Sequence, residues 1–350
     1  MKILFISDCS IAKGSNRIWV RDMGAHFSEL GHSIETQLEA KAGDYDVVIF
    51  AKGHFSVEAV KRARTNNPLC VIGWINATVN PLDTIDSERS KYSCLDFFVV
   101  GSIEERDSLL PYMENILIFP LIETMYKKKK THSNQSTITL GYHGNGVHLE
   151  EFFPHVTKAI EALSNEMSLK LIAVHAPEKN WEWTKGKPNI EVEQIAWELE
   201  TVEDNLLRCD IGLVPGITPI QRDSQMDFFN KSKAIASEEI SGYDTDYLLR
   251  FKNKSNAGRS FVFHQLHIPV VAAFMPSHFH ILGNQDCGYL AHSQEGWLDG
   301  IRALAQSTDK RAAVAKAAFM EFERLYNPVD WAQRCLTQIK LLKEEKEVLV

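Results

Sequence analysis

Short apolar runs alternate with amphipathic stretches along this chain, and the alternation limits the folds available to it more than any other feature. In the N-terminal third the apolar runs lie at residues 2–7, 33–38, 47–51, 71–75, 97–101 and 116–119. Residues 18–30 show what lies between them: Val20, Met23 and Phe27 recur at helical spacing until Gly31 ends the pattern. Strand-length and helix-length segments in this order are typical of β-α-β units around a parallel sheet.

A second series of the same kind begins at Ile138. Its apolar runs lie at residues 140–142, 171–174, 190–192, 211–214 and 269–272. A chain of 350 residues is long enough for two domains that each bury their own core. We therefore predict an α/β protein with two Rossmann-like domains, each built on a parallel sheet.

The domain boundaries follow from a polar segment, residues 127–136, which lacks both apolar periods. We predict an N-terminal domain at residues 1–123, a linker at 124–136, a C-terminal domain at 137–326 and a C-terminal helix at 327–350 that packs back on the N-terminal domain. Near the end of the chain, Pro328 separates two helical patterns, and we expect Asp330 to be the N-cap of the second. Residues 217–247 have no regular period and predict an irregular insertion.

Composition excludes several classes of protein. A hydrophobic content of 44% with 24% charged residues is ordinary for a globular protein and argues against disorder and membrane embedding. The formal net charge of -8 argues against non-specific nucleic-acid binding, which needs a broad basic surface. Six cysteines without a C-x-x-C pair, and an N-terminal apolar run too short for a signal peptide, are typical of a cytoplasmic protein with reduced thiols.

Four consecutive lysines, residues 127–130, begin the predicted linker. We expect them to be solvated. The alternative, peripheral contact with anionic lipid head groups at the inner face of a membrane, stays open.

Three segments have the composition of ligand-binding turns at the carboxyl ends of strands. The first is residues 8–17, where Gly14 and neighbouring small residues would let a substrate approach the backbone before a helix. It lacks the G-x-G-x-x-G fingerprint, so a dinucleotide site is poorly supported. A βα loop without a ligand would have the same composition.

The second segment is residues 141–148, a glycine-rich stretch that we expect to form a turn between a strand and a helix. Gly144, Asn145 and Gly146 would surround phosphate oxygens with backbone amides, and His143 would add a donor. The third is residues 252–260, where clustered cations and polar side chains precede an apolar helix that stops before Pro269. This pattern predicts an anion site, and its members are Lys254, Ser255, Asn256 and Arg259.

The order of these segments resembles a known family. A glycine-rich stretch that opens the second domain, the run Asp210-Ile211-Gly212-Leu213-Val214-Pro215, and a Lys-Ser-Asn segment followed by Ile268-Pro269-Val270-Val271-Ala272 are similar to the C-terminal half of GT-B glycosyltransferases, nearest to family 4, also called group 1. The resemblance implies two domains that face a central cleft. It also implies a donor diphosphate held by the C-terminal domain, with no metal ion required and no cofactor besides the nucleotide-sugar substrate.

The resemblance also assigns the acceptor side. An acceptor base would come from the first domain, where Asp83 and Asp86 are the candidates, with Asp8 as a further one. The family's glutamate that holds the donor sugar or ribose would fall near Val262, and no acidic residue is nearby. His278 and His280 are spaced like a metal pair, but they lack a third ligand at regular spacing, so we predict no metal site.

We therefore expect a glycosyltransferase that moves a sugar from a nucleotide sugar to a carbohydrate or lipid-linked acceptor, in surface polysaccharide or glycoconjugate synthesis. Two alternatives stay open: a sugar-nucleotide epimerase of similar two-domain shape, and a non-catalytic nucleotide-sugar-binding protein.

Overall fold

The computed structural model describes residues 1–10, 13–39, 45–77, 84–176, 182–216 and 256–349. The chain divides into two compact units. Unit 1 comprises Met1–Met125 together with Leu325–Val350, and unit 2 comprises Tyr126–Arg324.

Unit 1 is built on a six-stranded parallel sheet with the strand order β2-β1-β3-β4-β5-β6. The strands are β1 (Lys2–Ile6), β2 (Ser33–Gln37), β3 (Val47–Phe50), β4 (Val71–Ile75), β5 (Phe97–Val100) and β6 (Ile116–Ile118). The helices are α1 (Gly14–Asn16), α2 (Met23–Glu29), α3 (Val57–Asn66), α4 (Ile85–Tyr92) and α5 (Ile103–Leu109), and a π-helical turn at Arg17–Asp22 joins α1 to α2.

Both faces of this sheet are covered, which explains why its central strands are apolar at every position. Ile3 and Phe5 point to the face packed against α2, whereas Leu4 and Ile6 point to the face packed against α3 and α4. Three helices of this unit begin at a serine or threonine whose side chain accepts a hydrogen bond from a backbone amide three residues later. These N-caps are Ser56, Thr84 and Ser102.

Unit 2 has a second six-stranded parallel sheet, with the order β12-β11-β10-β7-β8-β9. The strands are β7 (Thr137–Asn145), β8 (Ser168–Ala176), β9 (Glu191–Ala196), β10 (Ile211–Val214), β11 (Val270–Ala273) and β12 (Tyr289–Ala291). The helices are α6 (His155–Ser164), α7 (Val202–Leu207), α8 (Gly258–Gln265), α9 (Pro276–Leu282), α10 (Gln294–Ala305) and α11 (Thr308–Leu325), with 3-10 turns at Gly146–Phe152 and Gln285–Cys287. The two sheets confirm the predicted fold class of two Rossmann-like parallel-sheet domains.

The last helix, α12 (Pro328–Leu349), belongs to unit 1 although it ends the chain. Its apolar side chains Ala332, Leu336 and Ile339 are buried in the same core as Ile3 and Phe5. The prediction that Asp330 is the N-cap is wrong, because the helix begins two residues earlier. The side chain of Asn327 accepts hydrogen bonds from the amides of Val329 and Asp330.

Three of the four lysines at the start of the predicted linker have partners within unit 2. Lys128 pairs with Asp204, and Lys130 Nζ lies 3.2 Å from Asp210 Oδ1. Lys129 donates to the Gln265 carbonyl oxygen at 2.6 Å. These ammonium groups are therefore engaged within the chain, which weakens the case for lipid contact. In the described ranges no helix has both the length and the apolar character needed to cross a bilayer.

All six cysteines are free, and burial raises the pKa of Cys70, Cys209 and Cys335 to about 12. Thiols with such a high pKa stay protonated and unreactive near neutral pH.

Candidate anion site at the carboxyl edge of the second sheet

The strand order of unit 2 reverses at one place in its sheet, between β7 and β10. The chain passes from β7 to β8 on one side and later returns to β10 on the other side of β7. A parallel sheet leaves a crevice at the carboxyl ends of its strands where the order reverses in this way, and ligands of α/β proteins bind there.

The strand pairing shows this crevice directly. β7 and β10 pair at Leu140–Ile211 and Gly141–Gly212 and no further. On its other edge β7 stays paired with β8 up to Asn145 and Ala176. The carboxyl ends of β7 and β10 therefore separate.

The glycine-rich segment is strand rather than turn up to Asn145, which corrects the prediction of a loop from Gly141 onward. Gly144 has a φ of +143°. A Cβ atom built at this position would lie 3.0 Å from Tyr142 Oη and 3.2 Å from Arg259 Cδ. The position thus requires glycine for its conformation, and a side chain would push into the arginine that borders the site.

Arg259 is the cation of the crevice. It is the second residue of α8, and its Nη2 donates to the Pro215 carbonyl oxygen at 2.6 Å and to Glu151 Oε2 at 3.3 Å. The guanidinium lies 5.7 Å from the centre of the Tyr142 ring. Its Nη1 is buried and has no hydrogen-bond partner among the residues that the structure describes, although 19% of the side chain is exposed.

Glu151 completes this arrangement from the 3-10 turn Gly146–Phe152. Its carboxylate is only 4% exposed and contacts two side chains, with Oε2 on Arg259 and Oε1 2.7 Å from His148 Nδ1. The turn that follows β7 and the first turn of α8 therefore meet through the charged hydrogen bond between Glu151 and Arg259.

His143 lies in the same region but is buried. Its Nε2 donates to the Arg259 carbonyl oxygen at 2.9 Å, and its ring packs edge-on against Phe263 at a centroid distance of 5.1 Å. Burial lowers the pKa of His143 to about 4, so the imidazole is neutral near pH 7. The ring ties β7 to the start of α8.

The other predicted diphosphate residues of this unit divide into two groups. Asn145 is exposed at the end of β7, Gly146 is the buried first residue of the 3-10 turn, and the side chain of Asn256 accepts from the Gly258 amide at 3.1 Å at the start of α8. Lys254 and Ser255 lie outside the described residues, as does the predicted insertion at 217–247.

Unit 1 has its own reversal of strand order, between β1 and β3. Asp8 lies there, paired with Lys13 and accepting from Asn16 Nδ2 at 2.6 Å, and His54 Nε2 lies 4.0 Å from its carboxylate. The hydrogen bond from Lys13 is the main cause that lowers the pKa of Asp8 to about 2. Such a carboxylate is a weak base.

The remaining first-domain predictions are less informative. Gly14 begins α1, and Asp86 is exposed in the first turn of α4, where an acidic side chain stabilises the helix dipole. Asp83 lies outside the described residues.

A cavity of 600 Å³ in unit 1 lies elsewhere. Asp96, Tyr112 and Lys346 are among its lining residues, so it opens at the amino ends of β5 and β6, on the edge of the sheet opposite Asp8. It is not part of either reversal of strand order.

No cluster of three or more potential metal ligands is formed by His, Cys, Asp and Glu side chains in the described ranges. His278 is buried and its Nδ1 bonds to the Ala273 carbonyl oxygen at 2.8 Å, whereas His280 is exposed. The two imidazoles of the H-x-H sequence therefore do not face the same site.

No protein-family model and no curated protein sequence matches this chain. Solved structures do match it. A glycosyltransferase from Rickettsia africae ESF-5 has a TM-score of 0.65 at 9% identity, covering 97% of this chain and 98% of that one. Sucrose-phosphate synthase from Thermosynechococcus elongatus has a TM-score of 0.60 at 12% identity, with coverage of 97% and 98%. HepE of Anabaena, crystallised with UDP-glucose, has a TM-score of 0.59 at 11% identity, with coverage of 97% and 99%.

The chain has the GT-B fold. At such low identity, the likeness to these structures concerns the fold alone.

Sequence analysis missed Glu151, Tyr142 and Pro215, which hold Arg259 in place. The one signal for Glu151 is its position three residues after His148, where two side chains of a helical turn meet. Nothing in the sequence connects it with Arg259, which is 108 positions away.

Proposed function

We propose that this GT-B protein is a glycosyltransferase that moves a sugar from a nucleotide sugar to a carbohydrate or lipid-linked acceptor. The observation that carries the proposal is Arg259 at the separated ends of β7 and β10, beside Gly144, where a Cβ atom would lie 3.2 Å from Arg259 Cδ. The crystals of HepE with UDP-glucose add support, because they show that a protein of this fold binds a nucleotide sugar.

A site that binds anions would assist sugar transfer by stabilising the leaving group. When the glycosyl–phosphate bond breaks, negative charge develops on the departing diphosphate. Donors already aimed at that charge lower the barrier without having to reorganise during the reaction. In this proposal Arg259 and the backbone of Gly144, Asn145 and Gly146 supply the donors, together with Lys254, Ser255 and Asn256, and no metal ion is required.

The acceptor side of the proposal rests on unit 1. The acceptor hydroxyl must lose a proton during transfer, and a carboxylate within hydrogen-bond reach would accept it. Asp83 and Asp86 are the candidates from sequence, whereas the low pKa of Asp8 makes that residue a poor choice. A role in surface polysaccharide or glycoconjugate synthesis, in the cytoplasm, belongs to the same proposal.

One observation favours a second candidate function, nucleotide-sugar binding without turnover. Helix α8 carries no carboxylate in its eight residues, and Val262, where the resembling family has its glutamate, is only 2% exposed within the core. A side chain at this position does not reach a ligand, so binding without catalysis is the alternative to test.

A thermal-shift panel with UDP, GDP, CMP and TDP tests the proposal. A ligand that binds only the native state at about 100 times its Kd stabilises it by about 2.7 kcal/mol. We expect stabilisation by one of these nucleotides, and its loss in the Lys254→Ala, Arg259→Ala double variant. The matched control is Arg302→Ala, which removes an arginine of the same unit that pairs with Glu166. No stabilisation of the wild type by any of the four would contradict the proposal.

Donor hydrolysis separates the two candidate functions. The sugar nucleotide that matches the stabilising nucleotide is incubated with the protein alone, and the released nucleotide is measured. Slow release that is absent from the double variant supports an enzyme, and binding without release supports the non-catalytic candidate. An epimerase would instead convert the donor sugar with no acceptor present.

A further inference from the structure

We infer that Glu151 is a positioning residue of the anion site, which orients Arg259 through one carboxylate oxygen and His148 through the other so that both side chains face one diphosphate. The inference rests on the proposed function, and it adds a residue that the sequence did not suggest.

The burial of Glu151 is the first step. The carboxylate is 4% exposed, so solvent contributes little to its stabilisation, and neighbouring protein groups must do so. Among the described residues, His148 Nδ1 lies 2.7 Å from Oε1 and Arg259 Nη2 donates to Oε2 at 3.3 Å. A guanidinium does not lose its proton in proteins, so the charge of Arg259 is permanent.

The second observation that supports this role of Glu151 is the hydrogen bonding of Arg259. Nη2 is occupied by Glu151 and the Pro215 carbonyl oxygen, and Tyr142 lies against the guanidinium. Nη1 is buried and has no acceptor among the described residues. A buried donor on a charged group is costly when it lacks an acceptor. Because 19% of the side chain is exposed, a phosphate oxygen would contact that exposed part, and it would accept from Nη1 only if the groups that cover this nitrogen moved apart.

The position of His148 is the third step. Its side chain is 38% exposed while its Nδ1 contacts Glu151. The carboxylate therefore contacts both side chains, a partly exposed imidazole and a partly exposed guanidinium. Two side chains held by one buried carboxylate would contact two adjacent phosphates better than a single phosphate.

The direction in which a substitution of Glu151 changes the affinity for an anion distinguishes two roles of this carboxylate. If Glu151 acted only as a nearby negative charge, neutralising it would tighten the binding of an anion. If it acts by holding Arg259 and His148, the same change would weaken binding, because both side chains lose their orientation. The variant Glu151→Gln distinguishes the two, since the amide keeps nearly the same shape.

Inorganic pyrophosphate is the probe, because its binding does not depend on the identity of the base. Its Kd and that of inorganic phosphate are measured by titration calorimetry on the full chain. We expect Glu151→Gln to weaken pyrophosphate binding about tenfold, the lower end of the range known for substitutions of residues that orient metal ligands, and to change phosphate binding less. Glu150→Gln is the matched control: it removes the same charge from the next position of the same turn, and no such weakening is expected.

A double-mutant cycle shows whether Glu151 acts through Arg259. In an Arg259→Ala background, we expect Glu151→Gln to weaken binding less than it does in the wild type, because Arg259 is gone and only His148 remains to be positioned. Circular dichroism checks that each variant is folded. If Glu151→Gln does not fold, His148→Gln tests the other arm of the arrangement and should weaken pyrophosphate binding severalfold.

The outcomes are distinct. Unchanged or tighter pyrophosphate binding by folded Glu151→Gln would overturn this inference and leave the proposed function intact. Where His148→Gln is used instead, the same result for that variant would overturn this inference. Full additivity with Arg259→Ala would also overturn it, since Glu151 would then act independently. A wild-type chain that binds neither pyrophosphate nor any nucleotide of the panel would overturn the proposed function and this inference together.

Discussion

Three histidines buried without charge in unit 2 make its stability depend on pH, and the size of the effect follows from their pKa values. Burial lowers the pKa of His143 and His278 from 6.5 to about 4, and that of His264 from 6.5 to about 3. Within the described part of the chain, neither ring nitrogen of His264 has a hydrogen-bond partner. Each imidazole is thus held in its neutral form by the folded state.

The sign follows from which state takes up the proton. Below pH 6.5 the unfolded chain binds protons at these three positions, while the folded chain does not until the pH approaches 4 or 3. Stability is therefore retained above pH 6.5 and lost as the pH falls. Between pH 7 and pH 5 each histidine contributes a loss of about 2 kcal/mol, and the three together about 6 kcal/mol, which is comparable with the whole stability of a domain.

Hydrogen exchange measured by mass spectrometry on peptides from β7 and α8 follows this loss within unit 2. After correction for intrinsic exchange rates, we expect the opening free energy of these peptides to fall between pH 7 and pH 5. The variant His264→Phe replaces the unpartnered ring by one that does not titrate, so the fall should shrink by about 2 kcal/mol. An equal fall in wild type and His264→Phe would refute the reasoning, because His264 would then not be the group that resists protonation.

Two further predictions concern packing and capping. Gly212→Ala should destabilise unit 2 by about 1–3 kcal/mol in urea denaturation, because its Cβ would lie 2.5 Å from the Phe263 ring. The control is Gly296→Ala, whose Cβ would make ordinary contacts from 3.4 Å outward, and this variant should be neutral or stabilising. Equal losses of stability in both variants would contradict this account. Ser102→Ala should cost unit 1 about 1 kcal/mol, because Ser102 Oγ accepts from the Glu105 amide at the start of α5. Ser108→Ala on the same helix is its control, and an equal loss there would show that the cap is not the cause.

The central strands of both sheets were predictable because they are buried on both faces and therefore appear as continuous apolar runs. The edge strands β2 and β9 are partly exposed. All six strands of the first series lie where they were expected. The strand missed in the second series, β12, has three residues and only one of them is fully buried, so it leaves no such run.

The candidate site was predictable in its location but not in its contacts. Glycines at 141, 144 and 146 suggested a turn, yet an extended strand also accepts glycine, and pairing with β8 keeps the segment extended to Asn145. Arg259 was identified from local charge. Its partners Glu151 and Pro215 come from distant parts of the chain, and only the packing of α8 against β7 and β10 brings them together.

The way the last helix completes the first unit has a consequence for synthesis on the ribosome. One face of the unit 1 core contains Ala332, Cys335, Leu336 and Ile339, which are translated after every residue of unit 2. Unit 2 is continuous in sequence and is able to finish folding as soon as it emerges. One apolar face of the N-terminal sheet instead stays uncovered until the last helix has been translated. A nascent chain halted before residue 332 would therefore expose that surface to chaperones or to aggregation.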